Sequence, residues 1–301
     1  MINPLQNPKN TQDQNAQNQG TQKGAAEIPR LAMINDIAGF GRCSTTVSLP
    51  VISAMEVQVC PVPTSILSNH LGFPLCHFDD YTPHMREYLR PWQEMGITFD
   101  GLYCGFLGSV EQFSIVEEFL DAFEPGLFLL DPVMGDHGKP YSTITGEHCR
   151  RMKSLMGRAD ILTPNITEAC LLTDTPCRES YWTDYELLSL CEKLSELCPG
   201  KIVITGLTHA SFFMNYIWEN KSRSTYLAPA AGSSRPGTGD LFASILAADA
   251  LHHRDFYASV KKAADFVALC IQGSERANIP VREGVIFEKY LGELIRQNQS
   301  K

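Results

Sequence analysis

The chain has 301 residues, 44% of them hydrophobic, which is enough for one large α/β domain with a substantial core or at most two small ones. Its 34 acidic and 25 basic residues give a formal charge of -9, which argues against a general nucleic-acid or acidic-membrane binder because those need a basic face. A small anionic substrate is not excluded, provided that the site supplies its own hydrogen-bond donors.

The cysteines and the apolar segments indicate the compartment. The ten cysteines form no CxxC pair and no closely spaced Cys/His group, so we expect reduced thiols and no structural zinc. Residues 1–27 lack the apolar core of a secretory signal, and no later stretch approaches the roughly 20 apolar residues of a membrane span. We therefore expect a cytoplasmic protein with no membrane or nucleic-acid partner.

The chain begins with a segment rich in Gln and Asn, from Asn3 to Gly24, with almost no apolar residue. Such a segment cannot bury enough surface to offset the entropy of ordering. Residues 1–28 are therefore predicted to be a disordered tail, with a helical arm as the minority alternative, and residues 29–301 a single domain.

After the tail, short apolar runs alternate with longer amphipathic stretches. The predicted buried strands are Leu31–Ile34, Val57–Cys60, Gly101–Tyr103, Leu127–Leu130, Asp160–Leu162 and Ile202–Ile204. The predicted helices between them are Thr45–Met55, Pro83–Met95, Glu111–Phe123, Gly146–Met156, Thr167–Leu172 and Tyr185–Leu197. This alternation predicts a mostly parallel sheet covered by helices on both faces.

The pattern changes near the C-terminus. Two strand-like runs, Ser211–Trp218 and Ser222–Leu227, are separated by a polar turn and predict a β-hairpin. Helices are predicted after it at Asp240–Leu251 and Phe256–Gln272.

The sharpest local signal lies at the start of the first of these helices, in the segment Arg235 to Ala243. A Gly-Thr-Gly turn at a helix N-terminus leaves several backbone N–H groups unpaired and adds the positive end of the helix dipole. This predicts an anion site. Asp240, directly after the turn, is a potential functional carboxylate, although an N-cap is the commoner use of Asp at such a position.

Two other segments place polar residues where a buried strand ends. In Leu130 to Asp136, Asp131 follows the strand, at the edge where open α/β sheets bind ligands, although Asp-Pro and Gly-Asp also form plain turns. In Asp160 to Ala169, a Pro-bearing loop leads into a helix with Glu168 in its first turn, which is also what an ordinary helix start requires.

Together, these strings resemble the motifs of ribokinase-superfamily kinases in the order of that family. Leu130 to Asp136 and Ser68 to Phe73 resemble pyridoxal kinases more narrowly, and the resemblance covers Pro29 to about Gly273. It implies a three-layer α/β fold with a mostly parallel central sheet flanked by helices. The implied activity is ATP-dependent phosphorylation of the 5′-hydroxymethyl group of pyridoxal, pyridoxine or pyridoxamine.

The resemblance also implies roles for residues on the phosphate side. Asp240 would be the catalytic base, while the amides of Gly237, Thr238 and Gly239 would stabilise the transferring γ-phosphoryl group. The ATP-binding residues would be Asp131, Asp136, Asn165 and Thr205. Asp131, Asn165 and Glu168 would hold Mg²⁺, partly through water, and Thr163 would hold K⁺ or Na⁺.

On the substrate side, the resemblance implies contacts from Asn35, Ser65, His70, Leu71 and Phe106, together with Asp240. Asn35 occupies the place of a Ser in the family's opening loop, and Leu71 replaces a Thr that contacts substrate. Taken alone, a histidine such as His70 is more often a structural hydrogen-bonding residue. The family also implies a homodimer.

Three alternatives stay open. Hydroxymethylpyrimidine kinases share the fold but typically carry Cys where this chain has Asp240. Sugar kinases usually carry Gly-Ala-Gly-Asp and an early Gly-Gly motif that this sequence lacks. A non-catalytic vitamin-binding protein with the same fold is disfavoured by the presence of Asp240, Asn165 and Glu168.

Overall fold

The structure is a computed structural model that describes residues 28–178, 181–209, 211–230 and 232–299. The predicted tail over residues 1–28 lies, apart from Ile28, outside the described residues. The expectation of a single domain over residues 29–301 stays a prediction. All ten cysteines are free thiols, as expected.

The strands of the described chain form a nine-stranded sheet and a two-stranded hairpin. The bounds are β1 Arg30–Phe40, β2 Gln58–Asn69, β3 Phe78–Asp80, β4 Gly101–Cys104, β5 Phe128–Leu130, β6 Gly135–Asp136, β7 Lys139–Pro140, β8 Ile161–Leu162, β9 Lys201–His209, β10 Phe212–Glu219 and β11 Ser222–Pro229. The large sheet has the order β11-β10-β9-β8-β5-β4-β1-β2-β3; its antiparallel pairs are β2-β3, β9-β10 and β10-β11, and its other pairs are parallel. The hairpin is β6-β7.

Helices cover both faces of the sheet. Their bounds are α1 Thr45–Ala54, α2 Thr82–Glu94, α3 Val110–Phe123, α4 Gly146–Met156, α5 Ile166–Leu172, α6 Asp184–Leu197, α7 Thr238–Leu251, α8 Phe256–Arg276 and α9 Leu291–Gln299, with a 3₁₀ turn at Val281–Glu283. One apolar core includes Phe113 of α3 and Leu190 of α6. A second core includes Val51 of α1, Leu246 of α7 and Val260 of α8. The predicted mostly parallel sheet with helices on both faces is thus confirmed.

The predicted β-hairpin is also confirmed, because β10 and β11 pair from Phe212↔Pro229 to Glu219↔Ser222. The first two strands are longer than predicted: β1 and β2 stay paired in parallel as far as Phe40 and Asn69. Their extensions carry polar and exposed residues, which an apolar run does not reveal. The short elements β3, β6 and β7 and the C-terminal helix α9 were not predicted.

The parallel strands β1, β4, β5 and β8 all end at one edge of the sheet. The segments that follow them therefore meet there, which is where open α/β sheets bind ligands. None of the helices in the described ranges combines the length and the apolar character that a membrane crossing needs.

Candidate active site

A cavity of about 960 Å³ opens at this edge of the sheet. It brings together almost all the residues singled out in the sequence, from strands, helices and loops spread along the chain. They are Asn35, His70, Leu71, Phe106, Asp131, Asp136, Thr163, Asn165, Glu168, Thr205, Gly237, Thr238, Gly239 and Asp240. Ser65 is not among the lining residues; it lies fully buried in β2, so its role in binding stays a prediction.

The glycine turn forms the start of α7 and lines the cavity. Gly237 is the N-cap with φ at +81°, the helix begins at Thr238, and Asp240 is its third residue. No side chain caps this helix, so the N-cap alternative for Asp240 is wrong. The first backbone N–H groups of a helix have no intrahelical partner, so this turn can bind an anion in the cavity.

The two glycines of the turn make a matched pair for mutation. A Cβ on Gly237 would overlap the Arg42 carbonyl, and its φ favours glycine, whereas a Cβ on Gly239 would meet nothing within 4 Å. We expect Gly237→Ala to lower the free energy of unfolding by at least about 1–2 kcal/mol, the cost of a left-handed L-residue. Gly239→Ala should leave it unchanged within about 0.5 kcal/mol. Urea unfolding of both variants is the measurement, and equal losses would contradict this account of the turn.

Asp240 is held between two amide donors. The backbone N–H of Ser44 donates to its Oδ2 at 2.8 Å, and Nδ2 of Asn35 lies 3.5 Å from its Oδ1. Burial raises the pKa of Asp240, while these two donors lower it in part. Ser44 itself has φ 56° and ψ −142°, a conformation that favours glycine. Such strained backbone persists where the surrounding structure enforces it, and here it directs an N–H at the carboxylate.

Asn35 is fixed by its own contacts. Its Oδ1 accepts from the backbone N–H groups of Asp36 at 3.0 Å and Phe106 at 2.9 Å, which leaves its amide to face Asp240. Gly105 is required beside it, because a Cβ there would come within 2.7 Å of the Asn35 side chain. Asn35 therefore links the middle of β1 and the segment after β4 to the carboxylate.

A second carboxyl group, Asp36, lies next to this one and was missed by the sequence analysis. It lines the cavity and is 6% exposed. Burial, with a contribution from the charge of Asp240, raises the pKa of Asp36 to about 7, although the Ser44 side chain lowers it in part. A charged residue type inside an apolar strand was the available signal, because buried Asp is rare without a partner.

Asp131 follows β5 as predicted and is 8% exposed. Its Oδ1 accepts from the Thr163 hydroxyl at 2.7 Å. Burial is the main cause that raises the pKa of Asp131 to about 7, and the charge of Asp240 adds to it. A cation beside Asp131 would favour the ionised carboxylate.

Asn165 and Glu168 form the capping box of α5, so the ordinary helix-start reading holds for both. Each side chain accepts the other's backbone N–H, at 2.9 Å and 2.8 Å, and the second Glu168 oxygen accepts from Met134 N at 3.1 Å. Nδ2 of Asn165 donates to the Gly135 carbonyl at 2.8 Å. Burial and the charge of Asp131 raise the pKa of Glu168 well above its usual range.

The residues predicted to contact the substrate, His70, Leu71 and Phe106, line one end of the cavity. His70 Nε2 lies 2.8 Å from the Arg282 carbonyl and its Nδ1 accepts from Gly72 N, so the ring joins two loops. Leu71 is 46% exposed and Phe106 is buried. His70 therefore has the structural hydrogen-bonding role that is common for a histidine. Leu71 and Phe106 offer apolar surface against which a ring can pack.

The opposite end of the cavity has an apolar wall that the sequence analysis did not single out. Its residues come from β10, β11 and α8 and include Phe213, Ala228, Val267, Ala268 and Ile271. In the sequence, these residues look like ordinary core positions of an amphipathic helix and a hairpin, so nothing distinguished them.

Comparison with known proteins gives three informative sequence matches. A family model described as phosphomethylpyrimidine kinase matches residues 94–285. A Schizosaccharomyces pombe protein described as a candidate pyridoxal kinase is 29% identical over 207 residues, which are 64% of this chain and 59% of that protein. The hydroxymethylpyrimidine/phosphomethylpyrimidine kinase of Aquifex aeolicus is 26% identical over 236 residues, 75% of this chain and 83% of that enzyme. The resemblance inferred from the motifs is confirmed.

Solved structures agree with this result. A candidate phosphomethylpyrimidine kinase from Bacteroides thetaiotaomicron superposes with a TM-score of 0.86 at 32% identity, over 91% of this chain and 96% of that one. Another crystal form of that protein, with pyridoxal, has a TM-score of 0.82 at 33% identity, over 89% and 96% of the two chains. Pyridoxal kinase from Lactobacillus plantarum, at 24% identity and a TM-score of 0.85 over 91% and 99% of the chains, shares the fold.

Proposed function

From the membership of this chain in the phosphomethylpyrimidine kinase family, we propose that it uses ATP to phosphorylate the 5′-hydroxymethyl group of a B6 vitamer. The observation that carries the proposal is the Asp240 carboxylate. It lies in the cavity at the N-terminus of α7, has no cation paired with it in the described residues, and is oriented by Ser44 and Asn35.

The arrangement supports a direct transfer. Asp240 takes the proton of the vitamer hydroxyl, whose oxygen then forms a bond to the γ-phosphorus as the bond from that phosphorus to the ADP oxygen breaks. The amides at Gly237, Thr238 and Gly239 would stabilise the charge on the transferring group. The vitamer ring would lie against Phe106 and Leu71, and the nucleotide would lie towards Asp131, Asp136, Asn165 and Thr205.

The runner-up function is phosphorylation of hydroxymethylpyrimidine, which the match to the Aquifex aeolicus kinase favours. Asp240 and the pyridoxal in the Bacteroides thetaiotaomicron relative favour a B6 vitamer. The test is turnover of pyridoxal, pyridoxine, pyridoxamine and hydroxymethylpyrimidine side by side with ATP. We expect kcat/KM to be highest for one of the three vitamers. A higher value for hydroxymethylpyrimidine would replace the proposal, and no ATP consumption with any of them would favour a binding protein.

Mg²⁺, together with K⁺ or Na⁺, belongs to the proposed reaction. The residues fit a cation that also binds the nucleotide. Asp131 and Glu168 are buried carboxyl groups, and the charge of Asp131 raises the pKa of Glu168. A cation between them would offset that repulsion. No group of three or more metal-binding side chains occurs in the described ranges, which suits an ion that keeps waters and phosphate oxygens. Bound there, Mg²⁺ would neutralise phosphate charge, and Thr163 would contribute to the monovalent site.

Glu168→Gln separates a metal role from the helix-start role. The two Glu168 oxygens accept from the backbone N–H groups of Met134 and Asn165, and a Gln side chain would turn its NH₂ group towards one of these donors. The loss of that hydrogen bond should lower the melting temperature by several degrees if Glu168 has a capping role. A metal role predicts, in addition, that half-maximal activity requires several-fold more Mg²⁺. Mg²⁺ titration and thermal unfolding are the measurements. A lowered melting temperature with an unchanged Mg²⁺ profile would leave Glu168 with the capping role alone.

We also propose a homodimer that forms through the β3 edge of the sheet. Phe40, Leu75 and Phe78 are 55%, 84% and 38% exposed. The pairs Phe40↔Asn69 and Leu67↔Phe78 place Phe40 and Phe78 on the same face of the sheet, and Leu75 lies in the segment between β2 and β3. Such an apolar patch is typical of an interaction surface. Light scattering should give twice the chain mass for the wild type and one chain mass for Phe40→Glu with Leu75→Glu. Met95→Glu, at a residue 66% exposed after α2, is the control and should stay dimeric. A monomeric wild type would contradict the proposal.

A further inference from the structure

A polar side chain in the apolar end of the cavity is not used by the proposed reaction. Asn215 lies on β10 between the pairs Met214↔Leu207 and Tyr216↔Ile204. Over this stretch β9 has one residue more than β10, and Gly206 of β9 has φ at +72°. The ladder is therefore interrupted beside Asn215, as at a β-bulge, and bulges often redirect a side chain next to a site.

The burial of Asn215 lacks an internal explanation. The residue is 6% exposed and lines the cavity, yet its side-chain amide makes no hydrogen bond within the described parts of the chain. In the described parts of the chain, the fully enclosed polar atoms without a partner do not include those of Asn215, so its amide is open to the cavity. A ligand in the cavity can supply the missing partners.

The surroundings of Asn215 indicate the chemistry of that ligand. Phe213, Ala228 and Ile271 belong to an apolar core cluster and also line this end of the cavity. They offer apolar walls to a flat ring, and Asn215 offers one acceptor and two donor hydrogens to its polar edge. A purine base combines apolar faces with such an edge.

The position along the cavity agrees with a nucleotide base. Asp240 is the reacting centre, and the vitamer-side residues Phe106 and Leu71 lie towards β1 and β2. Asn215 lies in the other direction, because β10 is beyond β8 and β9 in the sheet order. Between them in the sheet order are Thr205 and Asn165, two of the predicted ATP-binding residues, which form an isolated bridge.

We propose that Asn215 recognises the adenine base of the nucleotide and makes the site select ATP over GTP. Its oxygen accepts from the adenine N6 amine and its Nδ2 donates to adenine N7, the bidentate geometry that Asn forms with adenine. Guanine carries a carbonyl oxygen in place of that amine, so only one of the two hydrogen bonds can form. The loss of one such bond corresponds to about tenfold in affinity.

The inference rests on the proposed function, so its test includes a binding measurement that does not depend on catalytic activity. We would compare wild type and Asn215→Leu by the stabilisation that ATP and GTP each give against thermal unfolding, and by kcat/KM with each nucleotide. Wild type should prefer ATP by about tenfold or more, and the variant should lose about tenfold of that preference, with KM for pyridoxal unchanged. Val267→Ala is the control: it removes a wall contact on α8 and should weaken both nucleotides by the same factor.

The outcomes are distinguishable. An unchanged ATP-to-GTP ratio in Asn215→Leu, or equal losses for both nucleotides, would overturn base recognition by Asn215. A wild type that is stabilised by ATP in preference to GTP through Asn215, yet phosphorylates no vitamer, would uphold the inference and refute the proposed function.

Discussion

Asp240→Asn is expected to lower kcat by roughly 10²- to 10⁴-fold, the usual contribution of a positioned acid–base group. The amide cannot accept a proton as the carboxylate does, but its oxygen can still accept from Ser44 N, and the residue caps no helix. Stability and nucleotide binding should therefore persist. Steady-state turnover of pyridoxal, ATP-induced thermal stabilisation and urea unfolding together make the measurement.

The same helix supplies a control for this substitution. Asp249 is a buried aspartate on α7 that pairs with Lys262 of α8 at 2.7 Å, away from the cavity. Breaking a buried pair leaves an uncompensated charge, so Asp249→Asn should lose stability and keep kcat in the folded fraction. An Asp240→Asn variant that folds, binds ATP and phosphorylates pyridoxal at a near wild-type rate would contradict the proposal that Asp240 is the catalytic base.

Asp36→Asn is expected to stabilise the ligand-free protein at pH 8 by up to about 4 kcal/mol and to have little effect at pH 4. Burial raises the pKa of Asp36 from 3.8 to about 7, so the folded state binds a proton that the unfolded state has released between these values. Wild-type stability therefore falls as the pH rises through that window and is level above it. Each pKa unit corresponds to about 1.4 kcal/mol. An Asn keeps the neutral state at every pH and removes this loss.

Urea unfolding at pH 4, 6 and 8 measures this effect. Asp79→Asn, at an exposed residue of β3, is the control and should change stability by less than about 0.5 kcal/mol at each pH. If Asp36→Asn were less stable than wild type at pH 8, or kept the same pH dependence, burial would not be the main influence on this carboxyl group.

The fold could be predicted largely because its parallel strands are apolar runs between amphipathic helices. The extension of β2 could not be predicted, since Pro61 and Pro63 argue against a strand that pairs on both sides. In the structure, β3 pairs with β2 only from Ser65 to Leu67, so both prolines lie where the outer edge of β2 needs no donor. The hairpin of β6 and β7 was missed because strands of two residues carry no periodicity; its turn at His137 and Gly138, with φ 50° and 73°, holds Asp136 in place.

For the candidate site, motifs singled out most of the polar residues that the structure brings to the cavity. Asp240, Asp131 and the glycine turn stand out because a turn or a strand end exposes them. Asp36 and Asn215 did not, because their importance comes from burial without a sufficient internal partner, which depends on segments far apart in the sequence. A sequence shows the polar residue inside an apolar strand but not what faces it.

The two donors that orient Asp240 also determine when the site can exist. Asn35 and Ser44 lie 205 and 196 residues before it in the chain, so the contacts that define the proposed catalytic centre are among the most non-local in the described parts of the chain. Closing so long a loop has an entropic cost that only the completed sheet and α7 can offset. A ribosome-bound chain that ends before residue 238 can form the early strands but lacks Asp240, the proposed catalytic base. Competence for phosphoryl transfer should therefore arise in one step, late in synthesis, and two separately expressed halves should be active only when they reassemble.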